Sequence, residues 1–314
     1  MYDCVIIGGG PAGITAAIYA IRSGMKTVIL EKLGVGGQIA LSDVIENYPG
    51  FTSLSGMELM KHFEDHAKAV GAEFIFTEVS RVEAADGDKR IVHTSTGPVE
   101  TRTVVICSGA EAKRLGFKGE EEFMGRGVST CGTCDGPFYR GRTIAVVGGG
   151  DTAVKESIYL SKIASKVYHI HRRDRFRAEK ILQERIASRG NIEFLWKHTV
   201  EEAVGDDSGM TGVRVKSVDT GEVRELAVDG IFVFVGIKPN TGFVECDKDD
   251  QGFIVTNEKM ETSVPGIFAA GDCRVTPLRQ VVTAVGDAAI AAFRAEEHIS
   301  ELEGRAYDKK GSQS

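Results

Sequence analysis

Proline is scarce in this chain, with 7 residues in 314, whereas glycine is abundant, with 38. The shortage of proline and an ordinary balance of 42% hydrophobic and 26% charged residues argue against long disordered linkers. The glycines therefore predict places where the backbone turns sharply or approaches a ligand closely. A chain of this length is long enough for two or three domains with filled cores.

Positive charge is not in excess. Lys and Arg number 38 against 45 Asp and Glu, which leaves a net charge of -7. Binding of nucleic acid would require a basic surface, so we expect no nucleic-acid partner. One uncharged run, residues 4–21, has the length of a membrane span, but Gly8, Gly9, Gly10 and Pro11 interrupt it and no basic segment precedes it. We therefore expect neither a membrane span nor a signal peptide.

Cysteine is too sparse for a framework of disulfides. The chain has 6 cysteines, and only Cys131 and Cys134 are close in sequence. Small secreted domains that depend on disulfides are much denser in cysteine. The expected location is a reducing cytoplasm, where a close cysteine pair is more often catalytic or metal-binding than structural.

A repeated pattern organises the chain. The segments YDCVIIGGGPAGITAAIYAIRSG, from residue 2, and RTIAVVGGGDTAVKESIYLSKIA, from residue 142, each combine an apolar β-branched run, a glycine turn and an amphipathic helix. Each continues into a second apolar strand, KTVILEK in the first and SKVYHIHRR in the second. This duplication predicts an α/β protein with two Rossmann-like, three-layer ββα dinucleotide-binding domains, the second inserted into the first.

The first glycine turn has the G-x-G-x-x-G spacing of a dinucleotide-binding loop, at Gly8, Gly10 and Gly13. These glycines allow a tight turn, a close approach to pyrophosphate, and close packing of helix on strand. The following helix offers its first N–H groups to the phosphates. Glu31 stands eighteen residues after Gly13, where a carboxylate binds ribose hydroxyl groups. The predicted ligand has free ribose hydroxyls, and FAD is the natural candidate.

The second turn, with Gly148, Gly150 and Ala153, differs at the acidic position. His171 occupies the register of the first unit's glutamate and begins the run HRRDRFR. Arginines bind a ribose 2′-phosphate that a carboxylate would repel, so this site is predicted to prefer NADPH to NADH. Alternation along an extended strand would point Arg175 to solvent. The other interpretation, a solvated charge run or a nucleic-acid patch, is disfavoured by the acidic total and the matching register.

The segment STCGTCDGPF, residues 129–138, has three possible interpretations: a zinc site, a structural lock, or a redox dithiol. A structural zinc site needs four ligands, and no second C-x-x-C or paired histidines accompany this one. A redox dithiol fits better, because in C-x-x-C the first thiol is often exposed and acidic while the second resolves mixed disulfides. Asp135, directly after Cys134, is placed to exchange a proton with the thiols.

The order of motifs over nearly the whole chain resembles that of a known family. GxGxxG, GGQ, ENYPG, C-x-x-C-D-G, GGGDTA, HRRDRFRA, GDC and RQ follow one another as in low-molecular-weight, bacterial- or archaeal-type thioredoxin reductases. The resemblance implies a cytoplasmic homodimer that uses FAD and NADPH to reduce the disulfide of thioredoxin or a thioredoxin-like protein. It also implies a FAD-binding domain of residues 1–112 plus 240–314. An NADPH-binding domain of residues 113–239 would hold the cysteine pair and rotate as a unit between half-reactions.

Individual site residues follow from the resemblance, motif by motif. Hydride would pass from NADPH to FAD, then to the Cys131–Cys134 disulfide; Cys134 faces the flavin, Cys131 attacks the partner disulfide, and Asp135 is the proton-transfer acid. The implied FAD contacts are Gly8, Gly10, Pro11, Ala12, Gly13, Glu31, Gln38, Asn47, Gly109, Asp272, Arg279, Gln280 and Val281. The implied NADPH contacts are Gly148, Gly150, Asp151, Thr152, Ala153, His171, Arg172, Arg173 and Arg177. One departure from the family pattern is Gly132, where alanine usually follows the first redox cysteine.

Other functions remain as alternatives. A flavin-dependent dithiol oxidase of the same fold would pass its electrons to oxygen. A ferredoxin-driven reductase would not need the arginine run. A non-enzymatic zinc or redox-sensing protein would be colourless, and we expect no metal.

Overall fold

The computed structural model describes residues 1–42, 45–84 and 88–305. The chain forms two compact units. The discontinuous unit comprises Met1–Glu111 and Lys238–Ser314, and the inserted unit comprises Ala112–Ile237. Each glycine turn predicted from the sequence belongs to a different unit.

The discontinuous unit is built on a mainly parallel sheet. Its strands are β1 (Tyr2–Ile7), β2 (Thr27–Glu31), β3 (Glu73–Phe76), β4 (Val79–Ala84), β5 (Arg90–Thr94), β6 (Gly97–Ile106) and β17 (Ile267–Ala269). In the described part of the unit these seven strands have the order β3-β2-β1-β6-β5-β4, with β17 also paired to β6. β1, β2, β3, β6 and β17 pair in parallel, whereas β4 and β5 form an antiparallel meander with the start of β6.

The helices of this unit cover the sheet. They are α1 (Pro11–Arg22), α2 (Gly56–Ala69) and α6 (Val281–Leu302), with short 3-10 turns at Gly37–Leu41 and Gly271–Cys273. α1 and α6 share one core cluster that is rich in buried alanines of both helices, such as Ala16, Ala20, Ala288 and Ala291. The buried alanines of α6 therefore belong to the core.

The inserted unit, every residue of which is described, combines a parallel and an antiparallel sheet. Its strands are β8 (Val128–Ser129), β9 (Thr143–Gly148), β10 (Lys166–His171), β11 (Ile192–Trp196), β12 (His198–Asp206), β13 (Gly209–Ser217), β14 (Val223–Ala227) and β15 (Gly230–Phe234). Its helices are α3 (Gly132–Asp135), α4 (Asp151–Leu160) and α5 (Lys180–Ala187), with a 3-10 turn at Gly136–Tyr139. Five strands form a parallel sheet in the order β11-β10-β9-β15-β8, and β12-β13-β14 form an antiparallel sheet. Two three-residue strands, β7 (Ala110–Ala112) and β16 (Ile237–Pro239), span the points where the chain passes between the units.

The predicted α/β class, with one Rossmann-like half inserted into the other, is confirmed. β9 and β15 read as continuous apolar runs because helices or the antiparallel strands cover both faces of their sheet. Among the helices described, none has both the length and the apolar character that crossing a bilayer requires.

Candidate active site

The first glycine turn joins β1 to α1, and the helix packs closely on the turn. A Cβ built on Gly13 would lie 1.8 Å from the carbonyl oxygen of Gly8, so any side chain there would push the helix away from the strand. Gly10 is the N-cap of α1, Pro11 is its first residue, and no side chain among the described residues caps this end. The first N–H groups of α1 are therefore open to an anion.

Glu31 ends β2 directly beside this turn. Its Oε2 accepts a hydrogen bond from the backbone N–H of Gly9 at 2.6 Å, and its Oε1 accepts one from Leu33 at 2.9 Å. Two backbone donors thus hold the carboxylate in one orientation at the position predicted for a ribose. The loop that contains Gln38 closes over the same turn, because Gly36 N–H donates to the Gly9 carbonyl at 3.0 Å.

Asp272 follows a glycine that packs against the first turn of α1, although the two are far apart in sequence. A Cβ built on its neighbour Gly271 would lie 3.2 Å from the Cβ of Ala12 on α1 and 3.4 Å from that of Ala284 on α6. Burial raises the pKa of Asp272 to about 6, although Arg279 opposes the shift. A buried carboxyl group can accept a hydrogen bond from a ligand hydroxyl.

The start of α6 collects the remaining predicted flavin contacts. Gln280 is the N-cap and Val281 the first residue of α6, and Asn47 donates from Nδ2 to Oε1 of Gln280 at 3.0 Å. The Arg279 guanidinium lies 4.3 Å from the ring centroid of Phe253, and its Nε is buried without a hydrogen-bond partner among the described residues.

Gly109 follows β6 on the other side of the first turn. It has a φ of 67°, and its carbonyl accepts a hydrogen bond from the N–H of Asn240 at 3.1 Å. The residue that follows β6 packs against the first turn, since a Cβ built on Gly8 would lie 2.4 Å from the carbonyl oxygen of Cys107. The open helix end and the unsatisfied arginine fit a bound dinucleotide.

The second glycine turn repeats this construction in the inserted unit. A Cβ built on Gly148 would lie 2.4 Å from the carbonyl oxygen of Phe234 and 2.5 Å from the Cβ of Ala153. Gly150 is the N-cap of α4, with no side-chain cap in this fully described unit and open space around it. Asp151 accepts a hydrogen bond from the N–H of Glu179 at 2.8 Å, which leaves the exposed Thr152 beside the open helix end.

His171 lies against this turn. A Cβ built on Gly149 would lie 2.0 Å from its Cε1. The ring packs on Phe176 and Trp196. Its Nε2 is buried without a hydrogen-bond partner among the described residues, and burial, with a smaller contribution from Arg173, lowers the pKa of the imidazole. His171 is therefore placed to support the turn as a neutral ring.

A basic cavity of about 490 Å³ opens beyond the end of β10. Its lining residues are Arg172, Arg173, Asp174, Arg175, Phe176, Arg177, Lys197, Val218 and Asp219. Arg175 is exposed and lines this cavity, but strand alternation does not set its direction, because β10 ends at His171 and the chain then bends. Lys197 was missed; it follows β11, the parallel neighbour of β10, and pairs with Asp219 at 2.7 Å. The carboxyl ends of neighbouring parallel strands lie at the same edge of a sheet. A basic residue that directly follows β11 could therefore have been predicted to lie near the arginines that follow β10.

Cys131 and Cys134 form a disulfide in a short helical turn on the same unit. Their Cα atoms are 5.4 Å apart, and the N–H of Cys134 donates to Sγ of Cys131 at 3.2 Å. Asp135 follows directly, and its charge contributes after burial to raising the pKa of Tyr139 to about 12. Within the described residues no three side chains of His, Cys, Asp or Glu come together as a metal site.

The comparisons with known proteins agree with this geometry. A family model described as pyridine nucleotide-disulphide oxidoreductase matches residues 2–288. The thioredoxin reductase of Listeria monocytogenes is 44% identical over 305 residues, which cover 96% of this chain and 95% of that protein. This chain belongs to the thioredoxin reductase family. The predicted resemblance is confirmed, and with it the class of enzyme and the use of FAD and NADPH.

Two further relatives of the family show how far the likeness extends. The thioredoxin reductase of Bacillus subtilis is 43% identical over 310 residues, which cover 96% of each chain. The structure of thioredoxin reductase from Streptococcus pyogenes matches with a TM-score of 0.92 at 44% identity, over 96% of this chain and 99% of that one. The likeness to this family therefore extends over both units and all three parts of the site.

Proposed function

We propose that this chain is an NADPH-dependent thioredoxin-disulfide reductase whose Cys131–Cys134 pair delivers electrons to thioredoxin or a thioredoxin-like protein. The observation that supports this most strongly is that the inserted unit holds a disulfide together with a glycine turn at an uncapped helix end and an arginine-lined cavity. NADPH and FAD, when bound, supply the two-electron path to this disulfide.

The two cofactors are assigned by the charge beside each turn. Glu31 at the first turn suits free ribose hydroxyls and would repel a 2′-phosphate, so we assign FAD to residues 1–112 plus 240–314. The arginine-lined cavity suits a 2′-phosphate, so we assign NADPH to residues 113–239. The flavin contacts are those expected from the sequence, and three have the most support: Gly10 at an uncapped helix end, Asp272 beside a glycine packed on α1, and Arg279 with a buried Nε that has no partner among the described residues.

The cysteines have different tasks in this proposal. Reduction breaks the S–S bond and leaves one thiol and one thiolate, and the hydrogen bond from the N–H of Cys134 stabilises a thiolate at Cys131. That thiolate attacks one sulfur of the partner disulfide and forms a mixed disulfide. Cys134, on the flavin side, then attacks Sγ of Cys131, which releases the partner as a dithiol and restores the internal disulfide. Asp135 exchanges the proton between these steps.

Anaerobic titration of the purified protein tests the proposal. NADPH should bleach the flavin absorbance at far lower concentration than NADH, and oxidised thioredoxin should restore it. Cys134→Ser should still accept hydride from NADPH but fail to turn over thioredoxin, and Cys131→Ser should behave in the same way. A colourless protein, or undiminished thioredoxin reduction by either serine variant, would contradict the proposal.

We also propose that the enzyme is a cytoplasmic homodimer. The reducing cytoplasm would keep the four other cysteines as thiols, and three of these, Cys4, Cys107 and Cys273, are buried. The dimer proposal is supported by a line of exposed apolar side chains on α6. An arginine cavity has no use in a ferredoxin-driven reductase, so its presence favours NADPH as the electron donor.

A further inference from the structure

Glu156 is not among the residues predicted for the site, yet it contacts the cysteine turn directly. Gly132 is the first residue of α3 and lies between the two cysteines in sequence. A Cβ built on Gly132 would lie 2.0 Å from Oε2 of Glu156 and 3.2 Å from its Cδ. The carboxyl group of this α4 residue therefore occupies the space in which a side chain at position 132 would stand.

The carboxyl group has no compensating hydrogen bond on that side. Oε2 of Glu156 is buried and has no partner among the described residues. The Cβ built on Gly132 would also lie 3.5 Å from Cζ of Phe234, so part of the surroundings of this carboxyl group is apolar. A carboxylate placed there loses hydration without replacement, and burial raises the pKa of Glu156.

No nearby charge offsets this burial. The elements packed against α4 are α3, α5, β9, β10 and β15, and the sequences of β9 and β15 contain no titratable side chain. The titratable groups of the other elements and of the adjacent 3-10 turn, apart from the disulfide-bonded Cys134, are Asp135, Tyr139, Lys166, Tyr168, His169, His171, Lys180, Glu184 and Arg185. Burial is nevertheless the sole cause of the raised pKa of Glu156. The proton affinity of this carboxyl group is thus set by its position against the cysteine turn.

We propose that Glu156 is a positioning residue for the dithiol: its carboxyl group controls how readily the cysteine thiols ionise and takes up a proton when the disulfide is reduced. The inference rests on the proposed redox role of Cys131 and Cys134. It assigns to this carboxyl group a function separate from that of Asp135.

The coupling follows from charge balance. Two electrons, supplied in the proposed function by NADPH, break the S–S bond; one sulfur takes a proton from solvent and the other remains a thiolate. A thiolate in the cysteine turn and a carboxylate packed against Gly132 of that turn repel each other. Ionised Glu156 therefore binds a second proton from solvent when the disulfide is reduced, so the pair and the carboxyl group titrate together.

Gly132 supplies the room for this contact. The family pattern has alanine at this position, and an alanine here would force the carboxyl group of Glu156 to move away from the turn. Gly132→Ala and Glu156→Gln should therefore change the dithiol in the same direction by different means. Glu222, exposed between β13 and β14 of the same unit, offers a matched control for loss of one carboxylate.

The test follows Cys131 in the reduced holoenzyme. The wild type, Glu156→Gln, Gly132→Ala, the double variant and Glu222→Gln are reduced anaerobically with dithiothreitol. They are then alkylated with iodoacetamide between pH 5.5 and 9, and peptide mass spectrometry separates Cys131 from the other thiols. Glu156→Gln should lower the apparent pKa of Cys131 and speed its alkylation at pH 7–8 by about threefold to tenfold, since one pKa unit is tenfold in thiolate. Gly132→Ala should shift the pH profile of Cys131 alkylation in the same direction. The double variant should shift it no further than Glu156→Gln does, and Glu222→Gln should leave it unchanged.

Superposable profiles for the wild type, Glu156→Gln and Gly132→Ala would overturn the inference. Should Glu156→Gln fail to fold, Gly132→Ala decides alone, because it moves the carboxyl group without removing it. The reductant here is dithiothreitol, so the outcome is independent of NADPH. Shifted profiles in an enzyme that does not reduce thioredoxin would support the role of Glu156 and refute the proposed function.

Discussion

His169 is a buried residue whose side chain contacts the second glycine turn. Its Nδ1 is 2.7 Å from Oγ of Ser157, and its Nε2 is 3.1 Å from the carbonyl oxygen of Gly148. A neutral imidazole satisfies both contacts by donating to the carbonyl and accepting the hydroxyl proton. A protonated ring could not accept from Ser157, and burial lowers the pKa of His169 to about 4.

The inserted unit should therefore lose stability in weak acid. The pKa of His169 in the folded state, about 4, lies below the ordinary value of 6.5, so its contribution to stability is complete above pH 6.5 and declines as the pH falls towards 4. Between pH 7.5 and pH 5 this amounts to about 2 kcal/mol. Urea unfolding followed by the fluorescence of Trp196, the only tryptophan, measures it. His169→Gln should flatten the dependence, whereas Ser157→Ala should weaken the unit at both pH values and keep the slope. An unchanged slope in His169→Gln would contradict this account.

The arginines of the basic cavity should discriminate NADPH from NADH. Arg172→Ala, Arg173→Ala and Arg177→Ala should each raise the Kd for NADPH by about tenfold, because each removes a charge-assisted contact with the 2′-phosphate. The Kd for NADH, which has no such phosphate, should stay within about twofold. Isothermal titration of the oxidised enzyme gives both constants. Arg185→Ala on α5 is the control and should change neither; equal losses for the two nucleotides would contradict the assignment.

At the scale of elements, the glycine turns depend on contacts that leave no room for a side chain. Gly13→Ala should reduce the flavin content severalfold, since its Cβ would overlap the carbonyl oxygen of Gly8 and displace α1 from β1. The ratio of flavin to protein absorbance in the purified variant measures this. Gly34→Ala, with no atom near its Cβ, is the matched control and should retain its flavin. A fully flavinated Gly13→Ala would show that the first turn is not the cofactor site.

The same turns show how much of the molecule could be predicted from sequence. Glycine spacing and apolar runs predict β1, α1, β9 and α4, because these features depend on local backbone geometry and burial. Strand alternation does not explain the exposure of Arg175, since β10 ends earlier, at His171. Lys197 and Glu156 depend on which strands and helices pack side by side, which single-residue patterns do not encode. Tertiary neighbours therefore account for most of what was missed.

At the scale of the whole molecule, one fold is used twice, with a carboxylate in the first copy and a neutral ring in the second at the same register. The first copy ends its second strand with Glu31, held by backbone N–H groups at its glycine turn. The second ends it with the neutral ring of His171, followed by the basic cavity. In the proposed function, duplication provides two dinucleotide sites, and the change of charge makes them selective for different nucleotides. The disulfide is confined to the copy with the basic cavity.

The proposed dimer should depend on the outer face of α6. Val282, Ile290 and Phe293 are spaced to lie along one side of this helix and are 43%, 42% and 57% exposed. Such a line of apolar side chains is typical of a surface that another subunit covers.

Phe293→Asp should shift the protein from dimer to monomer, because it would bury an unpaired charge at that interface. Light scattering after size exclusion, over a hundredfold range of concentration, measures the mass. Val255→Asp, at a similarly exposed position away from α6, should remain dimeric. A wild type that is monomeric throughout, or a Phe293→Asp dimer as stable as the wild type, would exclude this face as the interface.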